Sequence, residues 1–226
     1  GKEAWVVNNS SGTVSIVDTA TNTVIETIYN PCGYSPTGIV FNPSPSRLEA
    51  YVVGNPDGPA VCVVDTDPLS PDYRTVISTV GLDPDDGNGE YAVVTPDGSY
   101  VYVTGNAVTR IDTTDSYSII LMYPYDLSTV TYLAVSNDGT KVYAAGGDSW
   151  LEFFYTSADT ISPDDYIDFY DGYNINAVAV VPGTDLGLVT DDDGYYSVAY
   201  PFNTSEDQEI TDSDGYPMPV DLYGTP

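Results

Sequence analysis

Ala4-Trp5-Val6-Val7-Asn8-Asn9 is the stretch on which the fold turns, because it returns along the chain. Ala50-Tyr51-Val52-Val53-Gly54-Asn55, Val101-Tyr102-Val103-Thr104-Gly105-Asn106, Val142-Tyr143-Ala144-Ala145-Gly146-Gly147 and Gly187-Leu188-Val189-Thr190-Asp191-Asp192 copy its pattern. The steps between their second residues (Trp5, Tyr51, Tyr102, Tyr143, Leu188) are 46, 51, 41 and 45 residues. Downstream of each copy a second element recurs as Val14–Thr19, Val61–Thr66 and Thr109–Thr113, and decays in Leu151–Thr156 and Tyr196–Tyr200. A third element reads Val24–Ile28 and Thr75–Val80. A fourth precedes the next copy as Gly38–Phe41, Tyr91–Val94, Tyr132–Val135 and Ala177–Val180. Turns such as Thr95-Pro96-Asp97-Gly98 and Ser136-Asn137-Asp138-Gly139 lead back to the first element.

Each element is short, β-branched or aromatic, and bounded by Gly, Pro, Asn or Asp, which are strand and hairpin signals. No stretch has the 3.6-residue period of an amphipathic helix. Four strands per unit, repeated five times, predict an all-β five-bladed β-propeller of four-stranded antiparallel blades. One such blade cannot cover both faces of its own sheet, so stacking of neighbours supplies the core. The 226 residues suffice for a single propeller domain, with repeats at approximately 1–41, 42–94, 95–135, 136–180 and 181–226.

These motifs resemble the YVTN β-propeller repeat. Residues 4–41 follow that pattern almost throughout, including Thr19-Ala20-Thr21-Asn22-Thr23-Val24. The second and third repeats follow it well, the fourth and fifth mainly by spacing. Members of that family include surface-layer and other secreted proteins of archaea and bacteria, so the resemblance implies an extracellular or cell-surface location. It also implies a strand order from the axis outward: A (the Gly38–Phe41 type), B (the Ala50–Asn55 type), C (the Val61–Thr66 type) and D (the Thr75–Val80 type). The chain begins with strand B of the first blade. Pro217-Met218-Pro219-Val220-Asp221-Leu222-Tyr223 aligns with the strand A stretch Pro36–Asn42, so the ring is expected to close by pairing of this C-terminal strand with the N-terminal blade. Entry of the same strand into a neighbouring molecule would instead build a polymer.

Composition excludes several functions. Five Lys and Arg stand against 34 Asp and Glu, a net charge of −29. Such a surface repels nucleic acid and anionic lipid and attracts cations. There is no His, so Ser-His-Asp and Cys-His triads and haem attachment through C-x-x-C-H are excluded. No apolar run approaches the about 18 residues of a membrane-spanning helix. The opening Gly1-Lys2-Glu3, without Met, reads as a mature or trimmed form.

Candidate sites cluster in the B–C and D–A loops, which the family's strand order places on one face. Asp83, Asp85, Asp86, Asn88 and Glu90, and Asp191, Asp192 and Asp193, carry the oxygen-rich pattern that suits Ca²⁺. Neither run has the EF-hand spacing, and polar turns on an acidic surface are the plainer reading. Asp18, Asp65 and Asp112 end successive C strands and are expected to accept hydrogen bonds from the turns that follow. Asp221 stands in an innermost strand where other repeats have Val40, Val93, Ala134 and Ala179, and is a candidate channel or ligand residue. Tyr34, Tyr173 and Tyr216, each after a Gly in a D–A loop, are candidates for stacking on sugars. Cys32 and Cys62, predicted near one face of the second blade, are a candidate disulfide in an oxidising compartment. Asn8, Asn9 and Asn203 open N-glycosylation sequons.

The function expected from these features is an extracellular structural or cell-surface module: a surface-layer component, adhesion module or filament subunit. Its partners would be further copies of itself or other surface proteins. A lectin-like propeller that binds glycans or another ligand is the alternative. A propeller hydrolase or lactonase is less favoured, because no carboxylate pair stands out as acid and base.

Overall fold

The computed structural model describes residues 2–54, 60–82, 89, 91–105, 107–123, 130–146, 149–160, 165–169, 174–192, 197–215, 218 and 220–221. Its chain forms five antiparallel sheets in sequence order. The first holds β1 (Glu3–Asn8), β2 (Thr13–Asp18) and β3 (Thr23–Tyr29), with one 3₁₀ turn at Asn9–Ser11. A short connecting strand, β4 (Pro31–Tyr34), follows. The second sheet is β5 (Gly38–Phe41), β6 (Glu49–Gly54), β7 (Ala60–Asp65) and β8 (Val76–Gly81). The third is β9 (Ala92–Val94), β10 (Tyr100–Val103), β11 (Val108–Asp112) and β12 (Ser118–Met122). The fourth is β13 (Tyr132–Val135), β14 (Lys141–Ala145), β15 (Trp150–Tyr155) and β16 (Tyr166–Asp168). The fifth is β17 (Ile175–Val180), β18 (Leu186–Asp192), β19 (Ser197–Asn203) and β20 (Gln208–Glu209), with β21 (Val220–Asp221) also on β19.

The predicted blades are thus present, and the decayed fourth and fifth repeats still form full C strands. Outer strands β12, β16 and β20 had no recognisable motif. They are short or exposed, and an outer strand buries little side chain that would restrict its sequence. Closure of the ring by residues 217–223 is not shown, and only part of that stretch is among the described residues. Val220–Asp221 pairs with β19, Val198 opposite Asp221 and Ala199 opposite Val220. It continues the outer edge begun by β20, which pairs with Phe202 and Asn203 farther along the same strand. The first sheet has three strands among the described residues.

Contacts group the chain into two compact units, Gly1–Gly105 with Ile111–Ile119, and Asn106–Arg110 with Ile120–Pro226. In the first unit, β6 is buried on both faces. Tyr51 and Val53 pack with Ala92, Val101, Val103 and Ile111 of the third sheet. Ala50 and Val52 point the other way, toward Val14, Cys32 and Cys62, with Trp5, Val7 and Ile28 at the margin. Strand alternation makes this double use possible, and it explains why the B strands read as unbroken apolar runs. Each large side chain so buried contributes about 1.5–3 kcal/mol. In the second unit, Tyr143, Leu151, Phe153 and Phe169 pack with Ile175, Val189, Tyr200 and Phe202.

Polar contacts repeat from blade to blade. The Thr37 hydroxyl donates to Gly89 O at 3.2 Å, and the equivalent Thr131 hydroxyl donates to Asn176 O at 3.2 Å. Asn42 donates to Gly98 O at 2.9 Å, and Asn137 donates to Val181 O at 3.0 Å and Thr184 O at 2.7 Å. Gly98 has φ +78°, and an added Cβ would lie 2.0 Å from Asn42 Oδ1, so this turn admits glycine alone.

A third contact joins the start of a B strand to the C–D turn of the next blade. That turn holds a residue with positive φ: Asn22 (55°), Arg74 (64°), Tyr117 (58°) and Asp207 (53°). Arg74 reaches Glu3 at 2.7 Å, the Tyr117 hydroxyl donates to Glu49 at 3.0 Å, and Asp207 receives Lys141 at 2.5 Å. Within the second unit, Arg110 donates to Ala158 O at 2.7 Å and pairs with Asp159, a related contact made from a C strand.

Burial, then the charge of Glu49, pushes the Tyr117 phenol up to about 12. Burial raises Tyr51 and Tyr143 as well, the latter helped by Asp207. A phenol whose folded pKa exceeds its unfolded value contributes stability that is whole below about 10 and is lost as pH rises through the folded pKa. Unfolding by urea should therefore become easier between pH ~10 and pH ~12, and Tyr117→Phe should flatten part of that decline. A parallel decline in the variant would show that general charge repulsion is responsible.

Candidate functional site

The repeated environment of the B-strand aromatic shows where the molecule differs from itself. Tyr51, Tyr102 and Tyr143 are fully buried. The Tyr51 hydroxyl receives Asn42 Nδ2 at 3.0 Å and donates to Glu49 at 2.8 Å, so its own A–B loop caps it. Their counterpart Trp5 is only half-buried. Among the described residues β1 pairs with β2 alone, and no strand occupies the A position that β5, β9, β13 and β17 fill in the other blades. Val6 on this strand is 46% exposed, whereas its counterpart Val52 is wholly buried.

Between the first and second sheets lies a cleft of about 340 Å³ lined by Lys2, Glu3, Trp5, Phe41, Thr66, Pro68 and Tyr73. Trp5 and Phe41 meet edge to face, centroids 5.4 Å apart. The walls are braced. Trp5 Nε1 donates to Glu3 Oε2 at 3.1 Å, while the other Glu3 oxygen takes Arg74, which also pairs with Glu26. The Arg74 guanidinium lies 4.6 Å from the Tyr73 ring centroid. One of the chain's few cations thus fixes both an aromatic wall and the first blade. Sequence reading did not single out Glu3, Phe41, Tyr73 or Arg74. The scarcity of cations was the available signal, since five Lys and Arg in a chain of this charge mark positions worth inspecting.

The cysteines are joined. Cys32 in β4 and Cys62 in β7 form a disulfide with Cα atoms 5.4 Å apart. β4 crosses so closely that a Cβ on Gly54 would stand 2.4 Å from Cys32 O. Asp18, Asp65 and Asp112 behave as expected: each accepts a backbone N–H two residues on, from Ala20 at 2.8 Å, Asp67 at 2.7 Å and Thr114 at 2.8 Å.

The predicted Ca²⁺ residues divide. Asp83, Asp85, Asp86, Asn88, Glu90 and Asp193 lie outside the described residues. Asp191 and Asp192 lie in β18, not in a loop, and the buried Asp191 carboxylate accepts Asn174 N at 2.8 Å. Its role there is to hold the entry to β17. Among the described residues no group of three or more acids or cysteines has the arrangement of a metal site. A second cleft, about 380 Å³, is lined by Tyr166, Ile167, Asp168, Asp207, Gln208 and Glu209. Burial, then the charge of Asp168, raises the Glu209 carboxyl.

Tyr34 lies in β4 and Asp221 in β21, while Tyr173 and Tyr216 fall outside the described residues. Asn8 donates to Val6 O, Thr13 Oγ1 and Ser15 Oγ, Asn9 to Pro36 O, and Asn203 accepts from Ser205 and Glu206 in the C–D turn. Among the described residues no helix is long and apolar enough to cross a membrane.

No family model matches the chain, and no curated protein matches it. Solved structures do resemble it. Kuenenia stuttgartiensis hydrazine synthase superposes with TM-score 0.63 and 17% identity, over 78% of this chain and 48% of that one. A chain of a mitotic checkpoint complex superposes with TM-score 0.73 and 14% identity, over 100% of this chain and 63% of that one. Both contain β-propellers, and this chain spans under two thirds of either. The likeness establishes a propeller-like fold and carries nothing about activity.

Two outcomes follow from the geometry. Reducing the Cys32–Cys62 bond, which closes a separation of 30 residues, should lower stability by about 3–4 kcal/mol in urea melts, and an unchanged midpoint would contradict its structural role. Arg74→Met should cost about 1–2 kcal/mol, discounted for the exposure of Glu3 and Glu26, and Arg74→Lys should recover only part of it.

Proposed function

We propose that this chain is an extracellular structural module of the YVTN-repeat type, and that it works by assembling with other protein surfaces. The observation that carries this reading is the first blade, which has three strands among the described residues. Among the described residues the first B strand is paired on one side and the other four on both, and an edge of this kind is a template for strand addition. Support comes from the disulfide, which suits an oxidising compartment. A structural role also fits a chain without His, whose acids are partly engaged in closing turns.

The Ca²⁺ reading attaches to the same proposal. The acids among residues 83–90 would lower repulsion between copies of charge −29 by binding cations in the contact. Closure of the five blades into a ring would follow once a strand fills the A position beside β1. A second reading rests on the Trp5–Phe41–Tyr73 cleft. Exposed aromatic faces beside a carboxylate and a lysine are the equipment of a site for a neutral saccharide.

Negative-stain electron microscopy of the native protein, with and without chelator, tests the choice. Ordered filaments or sheets are expected, and their loss on chelation would place the acidic loops in the contacts. Isolated discs under every condition, binding neutral oligosaccharides in a calorimetric titration, would overturn assembly in favour of ligand binding.

A further inference from the structure

We infer that the cleft between the first and second sheets binds a pyranose that carries a carboxylate, with the sugar ring against the aromatic wall and the carboxylate at Lys2. The inference rests on the saccharide reading of this cleft and names the class of sugar it prefers. Every described lining residue belongs to the compact unit that holds Gly1–Gly105, so the site is formed within one unit.

Three observations converge on that ligand. The first is a wall held in place. Phe41 is 45% exposed and meets Trp5 edge to face, while Tyr73 is stacked on the Arg74 guanidinium. Trp5 Nε1 is committed to Glu3 Oε2, so the indole offers a ligand its ring face and not its donor. The C–H side of a pyranose packs on such faces. The backbone fixes the residues that carry the polar groups: Lys2 O accepts Thr19 N–H at 3.1 Å, and Thr66 N–H donates to Leu48 O at 2.9 Å. A volume of about 340 Å³ stands at the small end of ligand pockets, which suits a sugar ring better than a helix or a long chain.

The second observation is the balance of spare polar groups. Glu3 is the one acid among the described lining residues, and both of its oxygens are engaged, Oε2 by Trp5 and Oε1 by Arg74 at 2.7 Å. Lys2 is the opposite case, exposed and in no ion pair among the described residues. Beside Tyr73, Arg74 Nε is buried without an acceptor. The Thr66 and Tyr73 hydroxyls make no hydrogen bond among the described residues. Donors are therefore in surplus here, and one of them is a full positive charge. A neutral pyranose would use the wall and the hydroxyls alone. A uronate adds a charge-assisted hydrogen bond to Lys2, roughly twice as strong as a neutral one.

The third is local charge. The chain as a whole carries −29 and opposes any anion at long range. At the cleft Lys2 and Arg74 stand against Glu3 and Glu26, so this part of the surface is neutral. Acids farther than about 8 Å are largely screened at physiological ionic strength, whereas the contact with Lys2 is direct. The same balance limits the ligand to a single carboxylate, since a polyanion would meet the rest of the acidic surface.

Nuclear magnetic resonance decides the matter, because the chain has two tryptophans, Trp5 in the cleft and Trp150 in β15 as a control. Nitrogen-15-labelled protein is titrated with methyl β-D-glucuronoside and with methyl β-D-glucoside at about 0.15 M salt, following both indole N–H signals, assigned with Trp150→Phe. The Trp5 signal should move while that of Trp150 stays, with the glucuronoside bound about tenfold more tightly than the glucoside, the gain expected from one charge-assisted hydrogen bond. Lys2→Ala, at an exposed position, should bring the glucuronoside down to the affinity of the glucoside, and Lys2→Arg should keep most of the gain. Equal affinity for the two glycosides, unchanged by Lys2→Ala, would overturn the inference and leave the saccharide reading standing. No movement of Trp5 with either sugar would sink the two together. Sodium acetate moving Trp5 as readily as the glucuronoside would also overturn the inference, making Lys2 a site for any small carboxylate. So would joint movement of Trp5 and Trp150, which would show contact without a site.

Discussion

Everything in this molecule depends on how one sheet grips the next. A four-stranded blade has two apolar faces and no means of covering either. Tyr51 and Val53 look one way and Ala50 and Val52 the other, and all are buried only because both neighbours are present. The polar contacts repeat this dependence at the margins. At the C–D turn a residue in the left-handed region leans toward the preceding blade, as Arg74 does to Glu3, Tyr117 to Glu49 and Asp207 to Lys141. The backbone sets the posture: Asn22 N–H and Arg74 N–H bond to the carbonyls of Asp18 and Asp65, each closing the same turn. A non-glycine residue in this region carries strain of order 1–3 kcal/mol, which the contacts it makes must offset. A sheet without its neighbour would lose the cover of a whole face.

Electrostatics fits the same pattern. With 34 acids against five cations, pairing most carboxylates is impossible, and many close turns instead. Asp97 and Asp138 are held below the usual carboxylate range, first by the hydroxyls of Thr95 and Ser136 and then by backbone donors. Their contribution is present above the unfolded pKa and fades as pH falls through the folded one. Four of the five cations form ion pairs, three of them between blades: Arg74, Arg110 and Lys141.

The B and C strands and their turns were legible in sequence because burial on both faces demands apolar residues at every position, and turns demand Asp, Asn and Gly. The cysteines were legible as a pair once the repeat placed them beside one blade. Outer strands such as Gln208–Glu209 were not, since two residues of pairing leave no pattern. The pairing of Val220–Asp221 with β19 was not legible for a physical reason: two such residues suit any strand edge, and alternation alone does not say which one. The braced cleft was invisible because its lining comes from four separate stretches around Lys2–Trp5, Phe41, Thr66–Pro68 and Tyr73, brought together by the stacking of two sheets.

The grip at the C–D turn has one more consequence, for descent. Its polarity is reversed between copies: a turn cation meets a strand carboxylate at Arg74–Glu3, and a turn carboxylate meets a strand cation at Asp207–Lys141. What the architecture conserves is a relation between two places, not the occupant of either. Paired exchanges can drift through such positions without harm to the whole. Two lineages can therefore come to share every contact and almost no letters, which is the condition in which shape remains recognisable after ancestry has faded from the alphabet.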